Sequence, residues 1–378
     1  AGVLLDDLCD FINNELYAIL DSGQYSQAFD LINHIFLTMG EQEIDDSDGE
    51  ITELAYICKD IWESILENSD AALERKMFQW FMANLDGSCI DYMEEYIEIF
   101  LFEHFKKPEY QSEKLKFSEK QANKYKKVDP EGYNAGYWAT KHLEMMQALN
   151  IEDSEIDAYC ENNLEIEMVR SFYVQLCIGR KDYTRAIKLL EEGKKVHAAF
   201  LGCVIDYSQK LKEIYRDTGD RDAYIKELWA LVLKYKPGDV GVYKELKQCY
   251  SQEEWLEKRE QVYKNTPPHS NLTGLYLEEG LYDRLLNHVL NAWGLHSLTI
   301  HEKHLMKLYP EPLLDKYEME LKTMAKQTSD RERYKEIVKI LKRMQKYPDG
   351  PARVSKIVKE FKELYKRRPA MMEELNKI

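Results

Sequence analysis

The residues with most chemical potential lie in the last third of the chain. His296, His301 and His304 form an H-x4-H-x2-H cluster. Two imidazoles on one helix reach a single zinc when they stand four apart, as in H-E-x-x-H. His301-Glu302-Lys303-His304 is one residue short of that spacing, so a solvated turn and helix start is expected, with no metal and no cofactor. Further on, Lys335, Lys339, Lys342, Arg343 and Lys346 recur at three- and four-residue steps, which puts them on one face of a helix. Lys366, Arg367 and Arg368 follow, just ahead of Pro369. Such cations can meet an anionic partner. They can equally solvate a helix face or complement the dipole at a helix C-terminus. An acidic stretch, Glu41, Glu43, Asp45, Asp46, Asp48 and Glu50, lacks the glycine and glutamate positions of a calcium loop and reads as a solvated loop. No G-x-S-x-G, P-loop or G-x-G-x-x-G occurs, and the acidic residues form no identifiable acid–base pair. The chain is therefore expected to be non-enzymatic.

A repeated phrase defines the elements that would position these groups. It reads Leu211-x-x-Ile214-Tyr215, Leu246-x-x-Cys249-Tyr250, Leu272-x-x-Leu275-Tyr276, Leu305-x-x-Leu308-Tyr309 and Phe361-x-x-Leu364-Tyr365. Offsets of 0, 3 and 4 place the three side chains on one helical face. The first four tyrosines are 35, 26 and 33 residues apart. A helical phrase at that period predicts an all-α chain, an α-solenoid of antiparallel helix pairs forming a tetratricopeptide-like superhelix. Tyr215, Tyr250, Tyr276, Tyr309 and Tyr365 are expected in the repeat core, mostly buried, near the end of the first helix of each pair. A second phrase, Gly23-x-Tyr25-x-x-Ala28, returns after Gly179 with two extra residues before Tyr183-x-x-Ala186. Over 65% helix is expected, with no sheet of three or more strands; Asp220 is a candidate helix cap.

Composition sets the remaining bounds. The formal net charge is −16, with 17 Lys/Arg against 9 Asp/Glu from Glu320 to Ile378, a net of +8 there and −24 elsewhere. Cys9, Cys58, Cys89, Cys160, Cys177, Cys203 and Cys249 are scattered and make no C-x-x-C or C-x-C motif. That pattern suits buried, reduced thiols in a cytoplasmic protein. No apolar run approaches the ~18 residues of a membrane span, so no membrane partner is expected. The chain opens almost inside an amphipathic helix, and a fragment of a longer protein is expected. Helical patterns over 1–105 and 135–378 flank a polar stretch, 106–134, with eight lysines and three glutamates between 106 and 127. The expected division is N-terminal helical repeats, a Lys-rich connection, with a polar helix as the alternative there, and C-terminal repeats ending in a cap.

Three segments carry a family resemblance. Glu279-Gly280-Leu281-Tyr282-Asp283-Arg284-Leu285-Leu286, Tyr309-Pro310-Glu311 and the closing run from Tyr365 to Leu375 resemble the C-terminal helical region of SWIM zinc-finger proteins of low-GC Gram-positive bacteria. The resemblance covers residues from about 135 onward. The zinc motif of that family, C-x-C…C-x-H, is missing here, so its zinc and nucleic-acid binding are not carried onto these residues. It implies the helical part of a larger bacterial protein, a scaffold for a protein or peptide partner. The alternative is a nucleic-acid-binding accessory that uses the basic C-terminal repeats. Phosphate binding would weaken more steeply with salt than peptide binding.

Overall fold

Apolar steps of three and four become helix almost throughout. The structure, a computed structural model, describes residues 8–40, 49–85, 91–327 and 330–378. It is 79% helical, with no strand among the described residues; the protein is all-α. None of its helices is long and apolar enough to cross a membrane. Most of the acidic stretch (residues 41–48) and Cys89 lie outside the described residues.

The chain divides into two compact units, Ala1–Ala186 and Ile187–Ile378. The first contains α1 (Tyr17–Asp21), α2 (Tyr25–Gly40), α3 (Glu50–Glu67), α4 (Ala71–Ala83), α5 (Asp91–Glu103), α6 (Pro108–Val128), α7 (Tyr133–Ala148), α8 (Asp153–Glu161) and α9 (Glu167–Gly179). Its early helices close around aromatic rings. Trp62 meets Phe36 and Phe81 with ring centroids 4.9 Å apart in each case, and donates its indole N–H to Asn33 Oδ1 at 2.9 Å.

The expected polar connection, 106–134, contains a 21-residue helix, α6, packed along α7. Its buried stripe is Tyr110, Gln111, Lys114, Ser118, Gln121 and Ala122. The helical period is intact, but polar side chains occupy the inward positions, so a reading based on apolar residues passes over it. Lys114 is buried and donates to the carbonyls of Leu101 at 3.2 Å and His104 at 3.1 Å, just past the end of α5. These carbonyls are the acceptors that a helix end leaves without partners.

The second unit holds most of α10 (Tyr183–Val196), then α11 (Leu201–Thr218), α12 (Arg221–Ala230), α13 (Val240–Gln248), α14 (Gln252–Asn265), α15 (Thr273–Glu278), α16 (Tyr282–Asn291), α17 (His296–Leu305), α18 (Pro310–Gln327), α19 (Arg331–Met344), α20 (Gly350–Leu364) and α21 (Pro369–Leu375). Packing runs between near neighbours: α13 on α15, α16 on α17 and α18, α18 on α19 and α20, α19 on α20 and α21. Contacts limited to elements one or two steps apart are what stacked helix pairs produce, and the arrangement fits an α-solenoid. Ion pairs join successive repeats at nearly constant separation. Lys194 meets Glu227, Lys212 meets Glu245 and Lys247 meets Glu279, 33, 33 and 32 residues apart, at 2.8–2.9 Å. Glu279 also accepts from Trp255 Nε1 at 3.0 Å.

The turn between paired helices is the most regular repeat. At Gly23, Asn150, Lys181, Gly219 and Gly280 the backbone is left-handed, with φ between +52° and +78°. In each case the next N–H bonds a carbonyl five residues back: Gln24 to Ile19, Ile151 to Met146, Asp182 to Cys177, Asp220 to Tyr215 and Leu281 to Tyr276. Two otherwise orphaned helix carbonyls are satisfied per turn, and glycine is favoured because it lacks a Cβ. Asp182 and Asp220 then cap the following helix, accepting from the N–H groups of Arg185 and Ala223. This corrects the second phrase. Gly179 is the last residue of α9, and Lys181 takes the left-handed position. Gly23-x-Tyr25-x-x-Ala28 and Lys181-x-Tyr183-x-x-Ala186 therefore align without extra residues.

The tyrosines of the first phrase differ from expectation. Tyr215, Tyr250, Tyr276, Tyr309 and Tyr365 are all half-buried. In four phrases the residue four before is buried, Leu211, Leu246, Leu305 and Phe361; in the third the buried member is Leu275. The phrases end near helix C-termini, where Tyr250 stacks on Trp255 and accepts from the Trp229 indole N–H, and Arg368 covers the Tyr365 ring. Only Tyr215 and Tyr276 share one backbone position, at the start of the left-handed turn. Tyr309 directly precedes α18, and Tyr365 is the C-cap of α20. The fully buried tyrosines are Tyr207, Tyr243 and Tyr317.

Candidate functional site

The basic face predicted for 335–346 belongs to α19, whose apolar stripe of Tyr334, Ile337, Val338, Leu341 and Met344 faces the core. The opposite face borders two grooves. The larger, about 750 Å³, runs between the α16–α17 turn, α18 and α19, and is lined by Trp293, Leu295, Met324, Ile340, Arg333 and Lys339 among others. The smaller, about 540 Å³, lies between α17 and α19 and carries Ile300, Lys303, Met306, Lys339, Lys342 and Lys346. Thr299, Lys339 and Arg343 line both.

Trp293 is 98% exposed, the most exposed of the large hydrophobic residues described. Its turn is built. Lys316, on α18, is buried and donates to the Ala292 carbonyl at 2.7 Å. Gly294 is left-handed at φ +66°, and the Leu295 carbonyl receives the Thr299 N–H at 2.9 Å. The indole thus stands in solvent on a backbone fixed at both sides.

Beneath the α19 face lies a buried carboxylate, Glu302, 5% exposed. It accepts from Arg343 Nε and, at 3.3 Å, from Tyr317 Oη. Arg343 also donates to the Thr299 carbonyl at 3.2 Å. Burial first, then the Glu302 charge, raise the Tyr317 pKa well above the usual phenol value. This network pins α17 to α18 and α19 and fixes the floor between the grooves.

The eight predicted cations therefore have different roles. Arg343 is an internal tie. Arg368 donates to the Ala325 carbonyl in the last turn of α18 at 2.7 Å and covers the Tyr365 ring at 4.6 Å. Lys335 pairs with Glu332 at 2.6 Å in solvent. Lys366 and Arg367 are exposed and line neither groove. Lys339, Lys342 and Lys346 come together at the smaller groove, joined by Lys303 from α17. The histidines separate too. His296 lines the larger groove, and His301 is buried, its pKa lowered by burial and then by His288 and His304. Among the described residues, no group of three or more His, Cys, Asp or Glu is placed to hold a metal ion.

Sequence reasoning missed Trp293, Lys316 and Lys303. A tryptophan in a helical repeat is ordinarily core, and Trp293-Gly294 carried only the glycine as a turn signal. No protein-family model matches the chain, and no curated protein matches it.

Proposed function

We propose that the second unit is a helical-repeat interaction module that holds a peptide segment of a partner protein in the α17–α19 grooves. The observation that carries this is Trp293, fully solvated yet held on a fixed turn at the rim of a groove of about 750 Å³. A tryptophan on a fixed backbone offers large contact area with only two side-chain torsions to order, and tryptophan is enriched among residues that dominate interface energies. The role is that of a scaffold, without chemistry of its own. The polar groups deep in the site, Glu302, Arg343 and Tyr317, are engaged with one another. The likeness of residues from 135 onward to the helical region of SWIM zinc-finger proteins completes the reading: the module works within a larger bacterial protein in the cytoplasm. This last part rests on residues of the sequence alone.

Selection of a random peptide library on the full chain tests the function. Peptides should be enriched on the wild type and should lose most of their binding to Trp293→Ala. Absence of enrichment, or peptides that bind both proteins equally, would contradict the assignment.

A further inference from the structure

We infer that the ligand of these grooves is an acidic peptide segment, with carboxylates against the lysines of the smaller groove and a large apolar side chain beside Trp293. The inference rests on the reading of the second unit as a peptide-binding module and narrows it to one ligand chemistry.

The smaller groove is lined by five cations, Lys303, Lys339, Lys342, Arg343 and Lys346, and by one carboxylate, Glu302. That carboxylate is committed to Arg343 and Tyr317. Lys303, Lys339, Lys342 and Lys346 pair with no carboxylate among the described residues. Other cations near them are ion-paired. On the same helices Arg331 pairs with Glu373 and Glu374, Arg333 with Glu336, and Lys335 with Glu332, while Lys316 and Lys322 pair with carboxylates on α18. None of these lines the smaller groove, and the four unpaired lysines converge on it. Lys339 and Lys342 stand one turn apart on α19 and Lys346 follows in the turn beyond its end, so three like charges crowd one side of the groove. A ligand carboxylate would relieve that repulsion.

The apolar lining selects a peptide. Ile300 and Met306 share the lysine groove, and the adjoining groove is walled by Leu295, Met324 and Ile340 under the Trp293 rim. A bare phosphate would leave this apolar surface uncovered; an acidic segment with an aliphatic or aromatic residue would cover it.

The test is fluorescence anisotropy on the full chain with a short fluorescein-labelled peptide of alternating glutamate and leucine. A lysine–leucine peptide, a glutamate–serine peptide and a single-stranded oligothymidylate serve as comparisons. The glutamate–leucine peptide should bind most tightly, and its affinity should fall as salt rises, because exposed charges are screened. Replacing Lys339, Lys342 and Lys346 together by Glu should weaken binding at least about tenfold, while replacing all three by Arg should retain it. Unchanged circular dichroism would confirm that both variants fold. Equal binding of the acidic and basic peptides, or unchanged affinity after charge reversal, would overturn the acidic preference and leave the module's function standing. Tighter, competing binding of the oligothymidylate would replace the peptide by nucleic acid. No binding by any peptide would remove the module's function as well.

Discussion

Replacing Glu302 by Gln removes the charge that ties α17 to α19 while keeping the side chain's shape. The native carboxylate is buried and takes bonds from Arg343 and Tyr317. Breaking a fully buried ion pair costs about 3–5 kcal/mol. Here Arg343 borders both grooves, so its released charge can rehydrate. The cost should fall to about 1–3 kcal/mol, the range of a bond to a charged group. Hydrogen exchange read by mass spectrometry over α17 and α19 reports that cost locally. At about 1.4 kcal/mol per factor of ten, opening should accelerate roughly fivefold to 150-fold. The solvated pair Lys335–Glu332 is the control, and Glu332→Gln should change exchange by less than about threefold, since exposed pairs contribute about 0–1 kcal/mol. Unchanged exchange in Glu302→Gln, or an equal rise in the control, would refute the claim that this carboxylate fixes the groove floor.

Lys181 takes a left-handed conformation that glycine holds at Gly23, Gly219 and Gly280. Lys181→Gly should therefore be neutral or stabilising by up to about 1 kcal/mol, and Gly219→Ala destabilising by about 1 kcal/mol, measured by urea unfolding. In the repeated phrase, Leu246→Ala should cost about 2–5 kcal/mol. Tyr250→Phe, which removes only the acceptor of the Trp229 indole N–H at 2.8 Å, should cost less than about 1 kcal/mol. A larger loss for the tyrosine would restore it to the core. Burial, reinforced by Lys106 and Lys141, lowers the Lys114 pKa to about 7. Between that value and the ordinary lysine value near ~10.4 the unfolded chain holds the extra proton, so stability should rise with pH from 7 to 10. Below pH 7 both states are protonated and this contribution is flat. Lys114→Met should remove the slope, and denaturant midpoints at pH 7 and 9.5 check it.

The helices were legible because their apolar residues keep a three-to-four step, and the basic face of α19 was legible for the same reason. What escaped had physical causes. Helix α6 hides behind inward-facing Gln111, Lys114, Ser118 and Gln121. The left-handed turn after α9 was placed on Gly179, since a lysine at such a position is rarely favoured. The Lys-to-Glu ties across about 33 residues stood in plain view, yet charges on helices are so common that their spacing carried no signal without the packing. The tyrosines recur as read, but a phrase that ends a helix marks a turn as readily as a core. The grooves could not be seen at all, because their walls come from separate helices brought together only by packing, and Trp293 looks like any core aromatic until its exposure is known.

The chain's six tryptophans allow the central claim to be tested at a single atom. With 5-fluorotryptophan incorporated throughout, each indole gives one fluorine resonance, and Trp293→Phe assigns the exposed one. Addition of the glutamate–leucine peptide should shift the Trp293 resonance in a saturable way and leave that of Trp62, buried in the first unit, in place. A Trp293 signal that stays fixed while the peptide binds would contradict the account, for the ligand would then lie elsewhere.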